Sequence, residues 1–388
     1  MRRAAAAVLL TLGCASLDTG VERRAGSAAE VRSVPGIGSP LLPELPAPSL
    51  VADRAATEGA PGTSRPGYLK GQTHVHTERS HDAKTPPEQV LAFYAERGYD
   101  FVALTDHNRI TVVEPPAGLL LVPGVELTHN ATICKPRPPP GYRCLFHTTA
   151  LFVDPARDEA RGERIRFPFA LQRQQAFEVQ MELTEQLGGL TVLNHPSFHF
   201  AADARTIAKL AKRGLAFVEV WNAGLDPQHP RGRTVAESAG ERLWDDVLGR
   251  GARVFALATD DAHHFADKLG RVRQGKFAYT GDRAWIHVRA EKRPDAIRAA
   301  MLAGDFYAST GVELADAEVT PQHTRVRVKE PAQCSIRFTG SGGRLLREAA
   351  CPEATYVHQG SEGYVRATVE APGGKRAWLQ PAFLGPSE

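Results

Sequence analysis

The chain has 388 residues, 42% of them hydrophobic and 23% charged, ordinary values for a globular protein and enough for one large domain plus a smaller one. A formal net charge of +3 without a long Lys/Arg run gives no support for a nucleic-acid partner. No apolar stretch is long enough to span a bilayer.

The first residues, MRRAAAAVLLTLGC, carry Arg2 and Arg3, then an apolar stretch from Ala4 to Leu12, then Gly13 and Cys14. That order is a secretory signal layout, expected over residues 1–14. A cysteine closing the apolar stretch also resembles a bacterial lipoprotein signal, with Cys14 as the lipidated residue; Thr11 stands where such signals usually carry leucine. The expected location is therefore the periplasm of a bacterium or its membrane, through a lipid anchor. Residues 15–66, rich in Ala, Gly, Pro and Ser, read as a linker without helix or strand pattern. Four further cysteines fall into two local pairs, Cys134 with Cys144 and Cys334 with Cys351. Their spacing does not suit a CxxC zinc site, and an oxidising compartment allows two disulfides.

From Tyr68 the pattern turns globular. The segment GQTHVHTERSHD places His74, His76 and Asp82 close together. TPPEQVLAFYAERGYD follows, with Thr85 as expected N-cap, Pro86 at the first helical position, Glu88 completing a capping box and Gly98 ending the helix. FVALTDHN is an apolar run ending at Asp106 and His107, LLLVPGVELT contains Glu126, and FHTTALFV has His147 near its start. A helix expected from Phe169 to Leu187 leads to LTVLNHPS with His195. Another, from Asp203 to Arg213, leads to AFVEVWNA with Glu219 and Asn222. GERLWDDVLGRG leads to VFALATDDAHH with Asp260, Asp261, His263 and His264. Apolar strands alternating with helices predict a parallel α/β sheet, with polar groups collected at the strands' carboxyl ends where such enzymes place their sites. The number of units favours a closed or distorted barrel, expected over residues 67–282. Residues 283–388 read as a smaller, mainly antiparallel β domain, beginning with the strand AWIHVRA and a helix within RPDAIRAAMLAGDFYAS.

The strand ends and the opening segment offer His74, His76, Asp82, His107, Glu126, His147, His195, Asp261 and His263. Imidazole with carboxylate suits Zn, Mn or Fe and matches Ca or Mg poorly. Nine candidates exceed what one ion needs, so two or three divalent ions bridged by carboxylates are expected. His74 and His76 share one side of an extended segment. Each tripeptide alone is commonplace, since HxH is more often two surface histidines and TDH or NHP a turn. Their recurrence at the ends of apolar runs carries the weight.

These segments, THVHTERSHD, LTDHN, PGVE, the following FH, NHP and DDAH, resemble the PHP (polymerase and histidinol phosphatase) superfamily over roughly Tyr68 to Tyr279. The resemblance implies a distorted β/α barrel with a two- or three-metal centre. Position by position it makes His74, His76, His107, His147, His195 and His263 ligands, Glu126 the bridging carboxylate and Asp261 the aspartate of the closing Asp-x-His. Asp82 takes a place held by histidine or aspartate, with His81 as rival. The leader and the segments AGDFYASTG and GYVRATVEAPGGKRAWLQPAF are similar to a secreted branch that includes carbaryl-hydrolase-like proteins.

The expected activity is an exported metal-dependent hydrolase, a phosphoesterase first, attacking with a metal-bound hydroxide. Hydrolysis of a carboxyl ester, amide or carbamate by the same centre is the alternative, and a non-catalytic metal-holding or glycan- or partner-binding module is the other. Asp106 and Asp260, beside ligands, are candidates for orienting or acid/base groups, or for caps of the following helices. CKPRPPPGYRC carries Arg137 and Arg143, and Arg271 follows His263. These cations suit a small anionic substrate, though solvated loop charges are the commoner reading. No GxSxG or GxxxxGK[ST] segment supports a serine hydrolase or a P-loop NTPase.

Overall fold

A computed structural model of the chain describes residues 66–225, 237–265, 268–330 and 333–384. The expected signal segment, Cys14 and the linker up to residue 65 lie outside the described residues.

The short apolar runs all become strands of one large sheet. β1 (Tyr68–Gln72) lies parallel to β2 (Phe101–Leu104), and β2 parallel to β3 (Leu120–Ala131). α1 (Pro87–Ala95) connects β1 to β2, burying Val90, Leu91 and Tyr94. Thr85 does not cap it: the N-cap is Pro86, in extended backbone, and no side chain bonds the free amides. The Thr85 carbonyl is engaged instead by the Glu78 amide at 2.8 Å. Gly98, at φ 70°, supplies the left-handed turn into β2. Gly71 is required for another reason, since a Cβ there would sit 1.9 Å from the Phe101 ring.

The all-parallel expectation fails at β4 (Cys144–Leu151), which is antiparallel to β3 and also to β5 (Leu190–Leu193). The β3–β4 connection contains no helix, and a parallel pair needs a crossover of a dozen or more residues, usually helical. α2 (Arg173–Gln186) begins four residues later than expected because the preceding backbone is already paired. The Lys135 amide donates to the Leu171 carbonyl, and the Arg173 amide donates to the Lys135 carbonyl, each at 2.9 Å. Parallel order then resumes through α3 (Ala204–Ala211), capped by Asp203, β6 (Phe217–Asn222), α4 (Glu237–Leu248) and β7 (Phe255–Thr259). α5 (Lys268–Arg273) follows β7.

Strands beyond the expected boundary at residue 282 continue the same sheet on the other side of β1. β8 (Trp285–Arg289) is antiparallel to β1 and, after α6 (Pro294–Leu302), β9 (Phe306–Ser309) pairs with β8. A second sheet of three antiparallel strands contains β10 (Leu314–Val319), β11 (His323–Val328) and β14 (Glu353–Val357). The large sheet takes in β12 (Ser335–Gly340), β13 (Arg344–Ala350), β15 (Tyr364–Ala371) and β16 (Lys375–Leu379), with β17 (Ala382–Phe383) on β15. The fold is therefore mixed α/β, with a large central sheet and a separate antiparallel one. Among the described residues no ladder joins β7 back to β1. The two ends meet through one isolated bridge, between Val75 and Ala262.

Buried Arg366 ties the carboxyl-terminal strands to α4, with Nε and Nη2 each 2.7 Å from the two Asp245 oxygens and Nη1 2.8 Å from Glu241. Both cystines form, Cys134–Cys144 with Cα atoms 5.9 Å apart and Cys334–Cys351 at 5.5 Å.

Candidate metal centre

Glu126 is the middle of the site. Its carboxylate is fully buried on β3 and lies within 3.6 Å of five imidazoles. Oε1 is 3.5 Å from His74 Nε2, 3.2 Å from His147 Nδ1 and 3.6 Å from His195 Nε2. Oε2 is 3.6 Å from His76 Nε2 and 2.6 Å from His107 Nδ1. Asp261, after β7, reaches in from the opposite end of the sheet, with Oδ1 3.4 Å from His74 Nε2 and 3.3 Å from His76 Nε2. Asp82 stands at the open side, its Oδ2 3.4 Å from His107 Nε2 and 3.5 Å from His263 Nε2. The candidate ligand atoms fall into four groups, three of which share members: His74, His76 and Asp261; His76, His107 and His263; His81, Asp82 and His107; and, separately, Glu126, His147 and His195. His81 thus reaches the same edge as Asp82 but is 73% exposed, and only Asp82 touches both His107 and His263.

The ring nitrogens facing away from the centre show which lone pairs face in. His74 Nδ1 donates to Glu219 Oε1 at 2.7 Å, leaving Nε2 bare toward Glu126 and Asp261. Ser80 Oγ gives its own proton to Asp106, so the 3.0 Å contact from His76 Nδ1 is a donation to Ser80 and His76 Nε2 also faces in bare. His263 Nδ1 donates to the Asp261 carbonyl at 2.9 Å, and His147 Nε2 to Asn130 Oδ1 at 2.8 Å. Outward donation of this kind fixes tautomer and ring orientation in metal-ligating histidines. His74 Nε2 and His76 Nε2 end 3.2 Å apart, close enough to share a proton or to face one ion together. Buried His195 Nδ1 has no hydrogen-bond partner.

Charge gives the same answer. Burial alone lowers the pKa of His107, but Glu126 and Asp82 outweigh it and push the imidazole up to about 10. His74 rises well above its ordinary value against the same burial, because Asp261, Glu219 and Glu126 surround it. His76 goes the other way, down to about 4, through burial and the neighbouring His263 and His107. Glu126 and Asp261 overcome burial to fall well below the ordinary carboxylate range, held there by the histidines. The buried carboxylates draw positive charge into the cluster, a requirement that divalent cations meet in place of protons. Donor set, lone-pair direction and charge all fit transition-metal ions.

Outer residues hold this arrangement. Asp106 does not approach the inward nitrogens. It accepts from the Thr77 amide (2.7 Å) and from the hydroxyls of Thr77 (2.7 Å), Ser80 (2.8 Å) and Thr111 (2.6 Å), and so pins the loop that orients His76. Asp260 is buried under Gln72, Tyr94 and the amides of Asp282, Arg283 and Ala284. Burial raises it to about 6 against those donors. Neither aspartate caps a helix. Two further residues escape the sequence reading as site residues. Asn194 donates to Glu126 Oε1 at 2.8 Å. Glu219, besides His74, accepts from the His195 amide at 2.8 Å and Thr259 Oγ1 at 2.8 Å. The available signal for Glu219 was a lone carboxylate inside the apolar run FVEVW. His195 (φ 26°) and Asp261 (φ 48°) hold left-handed backbone, a strain that concentrates at functional sites.

Arg137 and Arg143 stand exposed on the disulfide-bounded loop, the Arg143 amide donating to His199 Nδ1 at 2.9 Å. Half-buried Arg271 donates from Nε to the Phe277 carbonyl at 3.0 Å.

No family model and no curated protein matches the chain. Among solved structures it is similar to a two-domain protein from Bacteroides vulgatus ATCC 8482 containing a predicted PHP-like metal-dependent phosphoesterase. That match has a TM-score of 0.42 and 15% identity, covering 82% of this chain and 97% of that one. It is also similar to an amidohydrolase from Chromobacterium violaceum with bound sulfate and no metal, with a TM-score of 0.34 and 14% identity over 51% of this chain and 88% of that one. Neither likeness is close enough to assign a chemistry, which the residues themselves must supply.

Proposed function

We propose that the chain is a multinuclear metal-dependent hydrolase acting on phosphoesters. The observation that carries the reading is Glu126, buried and in reach of five imidazoles, of which His74, His76 and His147 bond another residue through the nitrogen that faces away from it. His74, His76, Glu126 and Asp261 would hold one ion, Glu126, His147 and His195 a second, and Asp82, His107 and His263 a third. Zn, Mn or Fe bound there supplies Lewis acidity and an activated water at neutral pH.

The chain's own residues do the rest. Glu219, Asn194, Ser80 and Asp106 fix imidazoles and carboxylate before substrate arrives, so little reorganisation is needed during reaction. Asp82 and His81, the most exposed members of the cluster, mark the side from which substrate enters. His81 is placed there to pass a proton to a departing alkoxide. Arg137, Arg143 and Arg271, in segments next to Glu126, His147 and His263 in the sequence, would favour an anionic substrate over a neutral ester or amide. The two cystines support a site of action outside the reducing cytosol.

The test is metal content per purified chain with turnover of an aryl phosphate and an aryl ester, before and after chelation. Two or three transition ions per chain with chelator-sensitive phosphatase turnover are expected. Ester turnover exceeding phosphate turnover would move the reading to an ester or amide hydrolase. No bound metal after repletion with Zn, Mn and Fe would sink it.

A further inference from the structure

The exposed large hydrophobic side chains are not spread evenly. Among the described residues, Ile133, Phe169, Leu171, Phe200, Leu269 and Val272 lie in segments that flank the candidate ligands Glu126, His147, His195 and His263 in sequence. Between β3 and β4, Ile133 is 50% exposed beside Lys135, Arg137 and Arg143. Before α2, Phe169 and Leu171 follow Arg164 and Arg166. After β7, Leu269 (67% exposed) and Val272 (57%) alternate with Lys268, Arg271, Arg273 and Lys276. Residues 131–143, 164–172 and 268–276 contain no Asp or Glu, and among the described residues none of their cations is in an ion pair. The chain's net charge is only +3, so these three segments concentrate positive charge relative to the whole.

Contacts fix these segments around the site mouth. Lys135 pairs with Gln172, joining the first loop to the second. Buried Arg173 donates from Nε to the Pro136 carbonyl and from Nη1 to the Phe200 carbonyl, each at 2.6 Å. That brings in Phe200, itself 50% exposed and packed on Tyr142. The third segment joins through Phe277, whose ring meets Tyr279, which in turn lies 5.6 Å from His263.

We propose that this face docks on an anionic lipid surface, so that the metal centre opens toward the headgroups. Cations with interleaved exposed apolar side chains are what interfacial, non-spanning membrane association uses; no helix of the described residues is long and apolar enough to cross a bilayer. Ile133, Leu171, Leu269 and Val272 favour acyl chains over nucleic acid, because aliphatic side chains offer no stacking surface to bases.

The experiment is co-sedimentation of the full chain with vesicles of phosphatidylcholine alone or with about one third phosphatidylglycerol, across a salt series. Two variants are compared with the parent: Lys268→Gln/Arg273→Gln/Lys276→Gln, and Leu269→Ser/Val272→Ser. The parent comparison cancels any contribution from residues before 66, and unchanged melting curves show that the variants fold. Binding is expected only with the anionic lipid, to weaken with salt, and to fall about tenfold or more in the charge variant and severalfold in the apolar one. Variants that bind like the parent, equal capture by neutral vesicles, or retention of a single-stranded oligonucleotide in place of vesicles would each overturn the proposal. Vesicle binding is read without turnover, so missing phosphatase activity would count against the proposed function alone.

Discussion

Replacing Glu219 separates a residue that positions ligands from one that merely fills a strand. Its carboxylate receives the His74 Nδ1 proton at 2.7 Å, the His195 amide at 2.8 Å, Thr259 Oγ1 at 2.8 Å and Asn222 Nδ2 at 3.0 Å, all buried. In Glu219→Ala, Thr259 can rotate and Asn222 keeps Asp261 as acceptor at 3.2 Å. The His74 and His195 donors have no such recourse. Two stranded buried donors cost about 1–3 kcal/mol each, together a large share of a total stability of about 5–15 kcal/mol. Glu219→Gln keeps the shape but turns one oxygen into an NH2 that must face either the His74 or the His195 donor, and it removes the charge that holds the His74 tautomer. Loss of such an outer partner lowers metal affinity about 10- to 100-fold, or roughly 1.4–2.8 kcal/mol. Competition titration against a chromophoric chelator, with metal content after graded dialysis, reads this directly. Glu219→Gln should fold, lose affinity in that range and shift the spectrum of a cobalt-substituted centre. Affinity within twofold of the parent, with an unchanged cobalt spectrum, would refute the positioning role.

Removing the 17-residue cystine with Cys334→Ser/Cys351→Ser should lower stability by about 3 kcal/mol, read from the urea midpoint; an unchanged midpoint would contradict it. Arg366→Ala takes the counter-charge from buried Asp245, leaving it only the Tyr364 hydroxyl at 2.7 Å, and should cost about 3–5 kcal/mol, while a loss under about 1 kcal/mol would show the pair to be dispensable. His287 accepts a hydrogen bond at Nε2 from Trp285 Nε1 at 2.8 Å, and burial pushes its pKa from 6.5 down to about 4. Between those values the unfolded chain takes up a proton that the folded chain refuses, so stability falls as pH drops through that window and levels off below about 4. This share amounts to about 2 kcal/mol at pH 5, and urea denaturation at pH 7 and pH 5 should show it missing in His287→Gln.

The apolar runs and the histidines at their ends were legible because each obeys a local rule. A short β-branched run between turn residues makes a strand, and imidazoles beside carboxylates recur at its end. Direction is not local. Nothing in FHTTALFV distinguishes a parallel strand from an antiparallel one, and β4 turned out antiparallel because the loop before it holds no helix. Thr85 had the right type and spacing for a cap, yet its backbone was already committed to Glu78, a contact set by the tertiary fold. Glu219 was hidden for a related reason: it chelates nothing and is visible only as a carboxylate that an apolar run should not contain. The carboxyl-terminal strands were each readable, whereas their continuation of the central sheet through β8 depends on long-range pairing that periodicity does not encode.

The contact between the two ends of the β1–β7 array and the candidate metal centre use the same residues. Among the described residues Val75 and Ala262 form the one bridge joining the ends of the β1–β7 array, and both are fully buried in a single apolar cluster with Val90, Leu91 and Tyr94. On either side of that bridge stand His74 with His76, and Asp261 with His263. Extended backbone sends Val75 to the core and His74 and His76 to the site, and the left-handed turn at Asp261 gives Ala262 and its neighbours the same division. The backbone bonds match: the Asp261 amide donates to the His74 carbonyl at 3.0 Å, and the His76 amide to the Ala262 carbonyl at 2.9 Å. A single bridge is a weak seam for a sheet to close on, and the groups on its polar side repel or pair according to their protonation. Cations shared by His74, His76 and Asp261 would therefore clamp the seam as well as create the reactive centre, and binding would be coupled to closure of the fold. HxH and DxH spacing would answer both demands at once, each triplet giving one residue to the core and two to the candidate metal centre.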